Sequence, residues 1–287
     1  MIPFDMVEPT SLKEAMSLLN PDEPTIRPVA GGTALMLMMK AGVFQPTMLV
    51  CLHKIEPEHS RITTVNGAVK IGAMATLSDI EHDATIAKRL PVLQNAMKRL
   101  SNPRVRNVAR VGGALAHGDP HMDLPPVLTM LGAKVAITGP KGDRELALED
   151  LFAGYYETAL DKDELITSVE VPALNGRKTA YMKVTSRNAD DWPSLGVAVS
   201  FALEGNTIKD PCVVVSAATE KVTRMASAEK ELQGAAVNDD AVIERAGEAA
   251  VAEANILSDA HGSAPYKREL LRVYVKRAVH KARENAQ

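Results

Sequence analysis

The apolar positions of this chain fall into short blocks whose spacing alternates between helix and strand. Leu12, Ala15, Met16 and Leu19 recur at helical intervals behind Ser11, and Glu14 three residues on completes the pattern of a capping box. Pro21 and Pro24 close that block, and Leu49–Leu52 is an apolar run of strand length. Thr63–Val65 and Val69–Ile71 flank Asn66-Gly67, the strongest short hairpin signal. Leu77 to Lys88, Pro91 to Leu100 and Leu124 to Gly132 read as helices. Ala133–Thr138 and Glu145–Leu148 read as strands around Gly139-Pro140-Lys141-Gly142, and Leu165–Val171 as a strand stopped by Pro172.

Leu174-Asn175-Gly176-Arg177 is rich in turn formers and marks a boundary. Beyond it lie strand-like runs at Thr179–Val184, Leu195–Leu203, Asn206–Ile208 and Cys212–Thr219, then helical runs at Ala226–Gln233, Asp239–Glu253 and Pro265–Arg283. Strands followed by helices give an α+β pattern. In the last helix Leu270, Tyr274 and Ala278 predict the inner face, and Lys267, Arg268, Arg272, Lys276, Arg277 and Lys281 an outer face, solvated or facing another subunit.

The chain has 287 residues, 46% hydrophobic and 24% charged, which suits one large soluble domain or two to three smaller ones. A net charge of −3 and 3% aromatic residues argue against a nucleic-acid surface. No apolar run reaches the roughly 20 residues that span a bilayer, and the first residues lack a signal-peptide pattern. Two cysteines, Cys51 and Cys212, make neither a disulfide framework nor a four-thiolate site, so this chain cannot ligate an iron–sulfur cluster by itself. A cytoplasmic setting is the expectation.

Two glycine doublets carry the chemistry. Arg27-Pro28-Val29-Ala30-Gly31-Gly32-Thr33-Ala34 precedes the apolar run Leu35–Lys40. Glycines reach positive φ and carry no Cβ, so successive N–H groups can form a concave nest for an anion at a helix start. A second doublet stands in Arg110-Val111-Gly112-Gly113-Ala114. Two such nests suit a ligand with two phosphates, although a plain turn between packed elements explains either one alone. Neither G-x-G-x-x-G nor G-x-x-x-x-G-K-[ST] is present, which disfavours Rossmann and P-loop folds. His117, Asp119, His121 and Asp123 follow in a polar, turn-rich stretch. Such residues are more often solvated than metallated, so no metal is expected; Asp119 and Asp123 suit turn and helix-cap roles, or one of them accepts sugar hydroxyls. No catalytic constellation is visible.

These stretches resemble the FAD-binding medium subunit of the molybdenum hydroxylase family, which includes xanthine dehydrogenase and carbon monoxide dehydrogenase. The likeness rests on Ala30-Gly31-Gly32-Thr33-Ala34-Leu35, on Val105-Arg106-Asn107 through Ala114, and on Gly118-Asp119-Pro120-His121-Met122-Asp123-Leu124-Pro125. It continues through Glu164-Leu165-Ile166 to Pro172, Tyr181-Met182-Lys183 with Arg187, Asp191 and Trp192, and Ser263-Ala264-Pro265-Tyr266-Lys267-Arg268. The resemblance implies a two-lobed FAD-binding domain of the vanillyl-alcohol-oxidase (PCMH) type over residues 1–175, with lobes of about 1–58 and 59–175. A smaller α+β C-terminal domain would follow over 176–287.

By the same resemblance Arg27 to Ala34 cradle the pyrophosphate and Arg110, Val111, Gly112, Gly113 and Ala114 hold it from the other side. Ser101 and Asp123 contact the diphosphate–adenosine region or ribityl hydroxyls, Ile166 supplies a main-chain contact, and Lys183 lies near the flavin. The family has Thr and Asn where this chain has Arg110 and Ala114, so backbone contacts carry over there better than side-chain ones. The implied role is electron transfer, with two 2Fe–2S clusters in a small partner chain and a molybdenum–pterin centre in a large one, expected as a dimer of three-chain units. A self-contained flavin oxidase or dehydrogenase and a nucleotide-binding scaffold are the alternatives.

Overall fold

The computed structural model describes residues 3–285. Its strands gather into sheets that follow the chain in order. A parallel three-stranded sheet is built from Asp5–Val7, Met48–Cys51 and Ile26–Val29, with Met48–Cys51 in the centre. The helices Leu12–Ser17 and Thr33–Lys40 provide the crossovers. Ser11 caps the first by accepting from the Glu14 N–H, but the Glu14 carboxylate takes the Thr10 N–H, so the expected capping box is only half formed. This unit has a small core of Ala15, Leu19 and Val50, and Leu165 from far along the chain completes it.

An antiparallel five-stranded sheet follows, in spatial order Ile62–Val65, Ala68–Gly72, Leu165–Val171, Lys134–Gly139 and Gly142–Ala147. Asn66 and Gly67 turn the first hairpin with φ of 51° and 87°, the doubly positive geometry that an Asn-Gly pair supplies. Helices pack on this sheet. The expected Leu77–Lys88 helix is two, Leu77–His82 and Ala84–Arg89, because the Asp83 side chain accepts from the Ile86 N–H and starts a new helix. A full capping box, Thr76 with Asp79, opens the first of these.

A third sheet is antiparallel, from Lys178–Val184, Leu195–Glu204, Thr207–Ser216 and Thr223–Arg224. The two short strands expected at 206–208 and 212–219 are one strand. Asp210, at φ 45°, and Pro211 form a bulge that the ladder bridges, since Lys209 pairs with Ala202 and Cys212 with Ser200. Helices Ala226–Leu232, Asp240–Glu253 and Ala264–Glu284 cover one side. In the last helix Lys267, Leu271, Val275, Ala278, Val279 and Ala282 are buried, and Leu270 and Tyr274 are half-buried at the margin of the same core. Lys267, expected outside, is fully buried. Its ammonium donates to the Ala217 carbonyl at 2.7 Å and to Asp259, so the charge is compensated inside.

The second and third sheets share a core. Ala198 and Val214 of the third sheet, with Val222, pack into the cluster that holds Leu115, Leu128 and Val135. A buried polar knot crosses the same boundary. Lys183 Nζ lies 2.9 Å from Asp123 Oδ2 and 2.8 Å from the Arg99 carbonyl oxygen, and the Tyr181 hydroxyl donates to Asp123 Oδ1 at 2.6 Å. Removing one member of such a pair strands the other charge. Lys183→Met is therefore expected to destabilise the chain by about 3–5 kcal/mol. Lys183→Met combined with Asp123→Asn recovers most of that loss, because a neutral amide is left. Urea midpoints of the wild type and both variants check this.

Candidate functional site

The two glycine doublets meet. A Cβ built on Gly31 would fall 2.0 Å from the Val108 carbonyl oxygen and 2.8 Å from Ala109 Cα. A Cβ on Gly113 would lie 3.7 Å from that of Ala30. The segments, about eighty residues apart in sequence, thus run against each other through backbone. Each doublet divides its labour. Gly32 has φ 68° and forms the left-handed N-cap of Thr33–Lys40, while Gly31 is required by close approach. By helix geometry the first N–H groups of Thr33–Lys40 have no intrahelical acceptor, and Thr33 and Ala34 are half-buried residues.

The second doublet departs from expectation. Gly112 and Gly113 are not a turn beside a helix; they lie inside the short helix Val111–Ala116, capped by Arg110. Neither has a positive φ. The N–H of Val111 donates to Ala75 O at 3.0 Å and that of Gly112 to Ala73 O at 2.7 Å, while Ala114 donates to Arg110 O at 2.9 Å. Gly112 is buried, and a Cβ there would strike Ala73 Cβ at 2.7 Å. Gly113 is exposed, and its N–H is the one at this helix start that the neighbouring carbonyls leave for a guest. Helix-start amides of this kind suit an anion. Of the candidate cations, Arg110 spends one donor on Met74 O at 2.9 Å, and Arg27 lies over the Phe44 ring at 5.6 Å.

The remaining expected site residues gather elsewhere. Asp123 and Lys183 are in the buried knot, joined to each other, and Asp123 makes no helix-cap bond with its side chain. Burial pushes the Asp123 carboxyl up from its usual range against the pull of the Lys183 ammonium. Burial and the Asp123 charge push the Tyr181 hydroxyl well up, which keeps it a donor. Ser101 is half-buried at φ 51°, and its carbonyl accepts from Arg106, which also pairs with Glu81 at 2.7 Å. Ile166 stands beside the bulge in Leu165–Val171, its side chain in the shared core.

The polar stretch after the second doublet is largely buried, not solvated. His121 Nδ1 lies 3.0 Å from Asp119 Oδ1, and Nε2 lies 2.9 Å from Asp259 Oδ2, which also takes Lys267. Asp119 and His121 are buried. Burial opposes the imidazolium, but the two carboxylates outweigh it and the His121 pKa is raised. Burial also opposes the Asp259 charge, yet Lys267 and His121 bring its pKa down to about 2. Nothing in the sequence couples residues 121, 259 and 267, because no helical or strand spacing joins them. Around this group stand exposed Trp192 and Tyr155 and the half-buried His261 and His117, with His121–His261 and Trp192–His261 ring centroids 5.2 and 6.2 Å apart. A separate cleft of about 640 Å³, lined by Thr129, Lys134, Glu149, Arg177 and Cys212, shares no residue with the glycine segments.

Comparison with known proteins meets this geometry. Residues 2–174 match the FAD binding domain in molybdopterin dehydrogenase, and residues 180–282 match the CO dehydrogenase flavoprotein C-terminal domain. The chain is 34% identical over 275 residues to the glyceraldehyde dehydrogenase medium chain of Sulfolobus acidocaldarius, covering 96% of each. It is 33% identical over 272 residues to the nicotine 6-hydroxylase medium subunit of Paenarthrobacter nicotinovorans, covering 94% of each. Its fold superposes with TM-score 0.94 on a chain of the carbon monoxide dehydrogenase of Hydrogenophaga pseudoflava, solved in a form lacking the Mo-pyranopterin moiety of the molybdenum cofactor. That pair is 33% identical and covers 98% of each chain.

The packing separates two glycines that look alike in sequence. Gly31→Ala is expected to cost about 2 kcal/mol or more, since backbone must move aside. Gly113→Ala leaves stability unchanged or raises it by up to about 1 kcal/mol through helix propensity. Chemical unfolding of both variants beside the wild type checks the order.

Proposed function

The chain belongs to the family of FAD-binding medium chains of molybdopterin dehydrogenases, and from that premise we propose that it is the electron-transfer subunit of a molybdenum-containing hydroxylase. The observation that carries the reading is the backbone contact between the two glycine segments, which leaves helix amides beside Gly113 and Ala30 open to a diphosphate. The Thr33 and Ala34 N–H groups and the Thr33 hydroxyl would hold one phosphate, and the Gly113 N–H the other. Arg110 would add charge from the rim. When bound, FAD accepts electrons one or two at a time, which suits a junction between single-electron clusters and a two-electron acceptor.

The chain's own task is then to bind, orient and shield. Asp123, Lys183 and Tyr181 satisfy one another across the two halves, so they act by holding the halves in register. Among the described residues no group is arranged as a nucleophile with its base, and the oxidation of substrate falls to a large molybdopterin chain. A small chain with 2Fe–2S clusters would deliver the electrons. The relatives named for glyceraldehyde and nicotine stand at nearly equal identity to this chain, which supports substrate choice residing in the large chain. None of the helices among the described residues is long and apolar enough to cross a membrane.

Incubation of the purified chain with FAD is expected to give bound flavin at one per chain, read by visible absorbance after gel filtration. Gly113→Val is expected to fold normally yet hold FAD at least about tenfold more weakly, the equivalent of about 1.4 kcal/mol. A chain that takes up no flavin contradicts the proposal. Turnover of an organic substrate by this chain alone would favour the self-contained flavin enzyme.

A further inference from the structure

The segment between the glycine helix Val111–Ala116 and the helix Leu124–Met130 is fastened to the C-terminal part at three points. Pro120 O accepts from the Ala217 N–H at 2.9 Å. Asp123 takes Tyr181 and Lys183. Between them His121 reaches Asp259, which Lys267 holds from the last helix. Lys267 also donates to Ala217 O, so the Pro120 tie and the His121 tie share an anchor. Ala217 sits at φ 64°, a backbone setting that a residue with a Cβ seldom adopts and that these bonds hold in place.

The middle tie has a protonation requirement set by geometry alone. Both ring nitrogens of His121 face carboxylate oxygens, at 3.0 and 2.9 Å. A neutral imidazole carries one N–H and can donate to only one of them; the other carboxylate then meets a lone pair. Only the imidazolium satisfies both. The sequence of charges Lys267, Asp259, His121, Asp119 then alternates and cancels.

We propose that Lys267, Asp259 and His121 are positioning residues through which the C-terminal part fixes the glycine helix, so that neutralising His121 loosens the hold on FAD. This rests on the functional reading above, since it concerns the same phosphate cradle. Around His121, Tyr155 stands at the exposed rim, where burial and the Asp119 and Asp259 charges push its hydroxyl up. Asp119 stands on its own loop, with the Tyr156 hydroxyl behind it, and burial with the Asp119 charge pushes that hydroxyl up and keeps it protonated. His117 lies on the Asp119 side, and burial lowers its pKa. Asp259 and His261 face His121 from the loop before the last helix, and burial with the His121 charge lowers the His261 pKa. Lys267 acts through Asp259.

The sign follows from these directions. The His121 pKa is raised by folding, so its contribution is complete below the ordinary imidazole value of about 6.5 and is lost as pH rises through the folded value. Asp259, lowered to about 2, contributes above the ordinary carboxylate range and loses its contribution as pH falls toward that value. The tie therefore holds at mildly acidic to neutral pH and opens on the alkaline side.

The test uses the full chain, wild type and His121→Asn, with two measurements across about pH 6 to 9.5, a range bracketing imidazole titration. One is the FAD dissociation constant from recovery of free-flavin fluorescence. The other is the thermal unfolding midpoint of the cofactor-free chain, with circular dichroism as the check that both proteins fold. In the wild type FAD binding is expected to weaken by about tenfold toward alkaline pH, an ordinary size for coupling between two sites. His121→Asn is expected to bind at the weaker level with that pH dependence removed, and its midpoint to lose the same alkaline fall. Asp259→Asn should behave alike, and Lys276→Met, which breaks a surface pair, should leave the profile unchanged. Identical pH profiles in the wild type and His121→Asn overturn the proposal. A chain that takes up no FAD at any pH overturns the functional reading and the cradle link with it, while the cofactor-free midpoints still decide whether His121 ties the halves together.

Discussion

Much of this structure depends on the absence of a single carbon. Wherever Gly31 carried a Cβ, the carbonyl of Val108 would occupy nearly the same place. Gly112 and Ala73 stand in the same relation, and Gly72 does so with the His59 carbonyl. Close backbone approaches at Gly31 and Gly72, and the contact of Gly112 with the Ala73 side chain, therefore bring these segments together. An anion held there would meet amides carried by packed elements, which cost little to organise on binding.

The sequence made some of this legible and hid the rest for physical reasons. Local rules worked where local energies decide. Asn66-Gly67 turns a hairpin because its φ values demand it, and Leu165–Val171 ends where Pro172 must end it. The two glycine doublets pointed to segments that meet in the fold, because glycine has few reasons to come in pairs. They did not say which glycine serves packing and which serves a ligand, since that depends on what lies opposite. Capping was legible as a motif but not as an outcome: Glu14 chose the Thr10 N–H, and Asp83 cut one helix into two.

The greatest departure concerns charge. A lysine in a basic stretch of an amphipathic helix reads as solvent-facing, yet Lys267 is completely enclosed. Its partners are a carboxylate eight residues upstream and a carbonyl fifty residues upstream, and neither separation leaves a periodic trace. The same holds for Asp123 with Tyr181 and Lys183, and for His121 with Asp259. Burying these groups has a desolvation cost that apolar side chains would not incur. What they supply is direction: an apolar contact tolerates sliding, whereas each of these bonds is lost within an ångström of displacement.

The parallel three-stranded unit has a temporal consequence. Its core of Ala15, Leu19 and Val50 closes only when Leu165 arrives from the other sheet, and so small an apolar cluster gives little stability by itself. On the ribosome, the first fifty residues would emerge well before the side chain that seals them. At roughly 5–20 residues per second that interval lasts from about 6 to about 20 seconds, during which Met48–Cys51 and its neighbours are unprotected. The order of synthesis thus leaves this unit unsealed until Leu165 has been made, and a chaperone that shelters nascent apolar strands would have its natural client there.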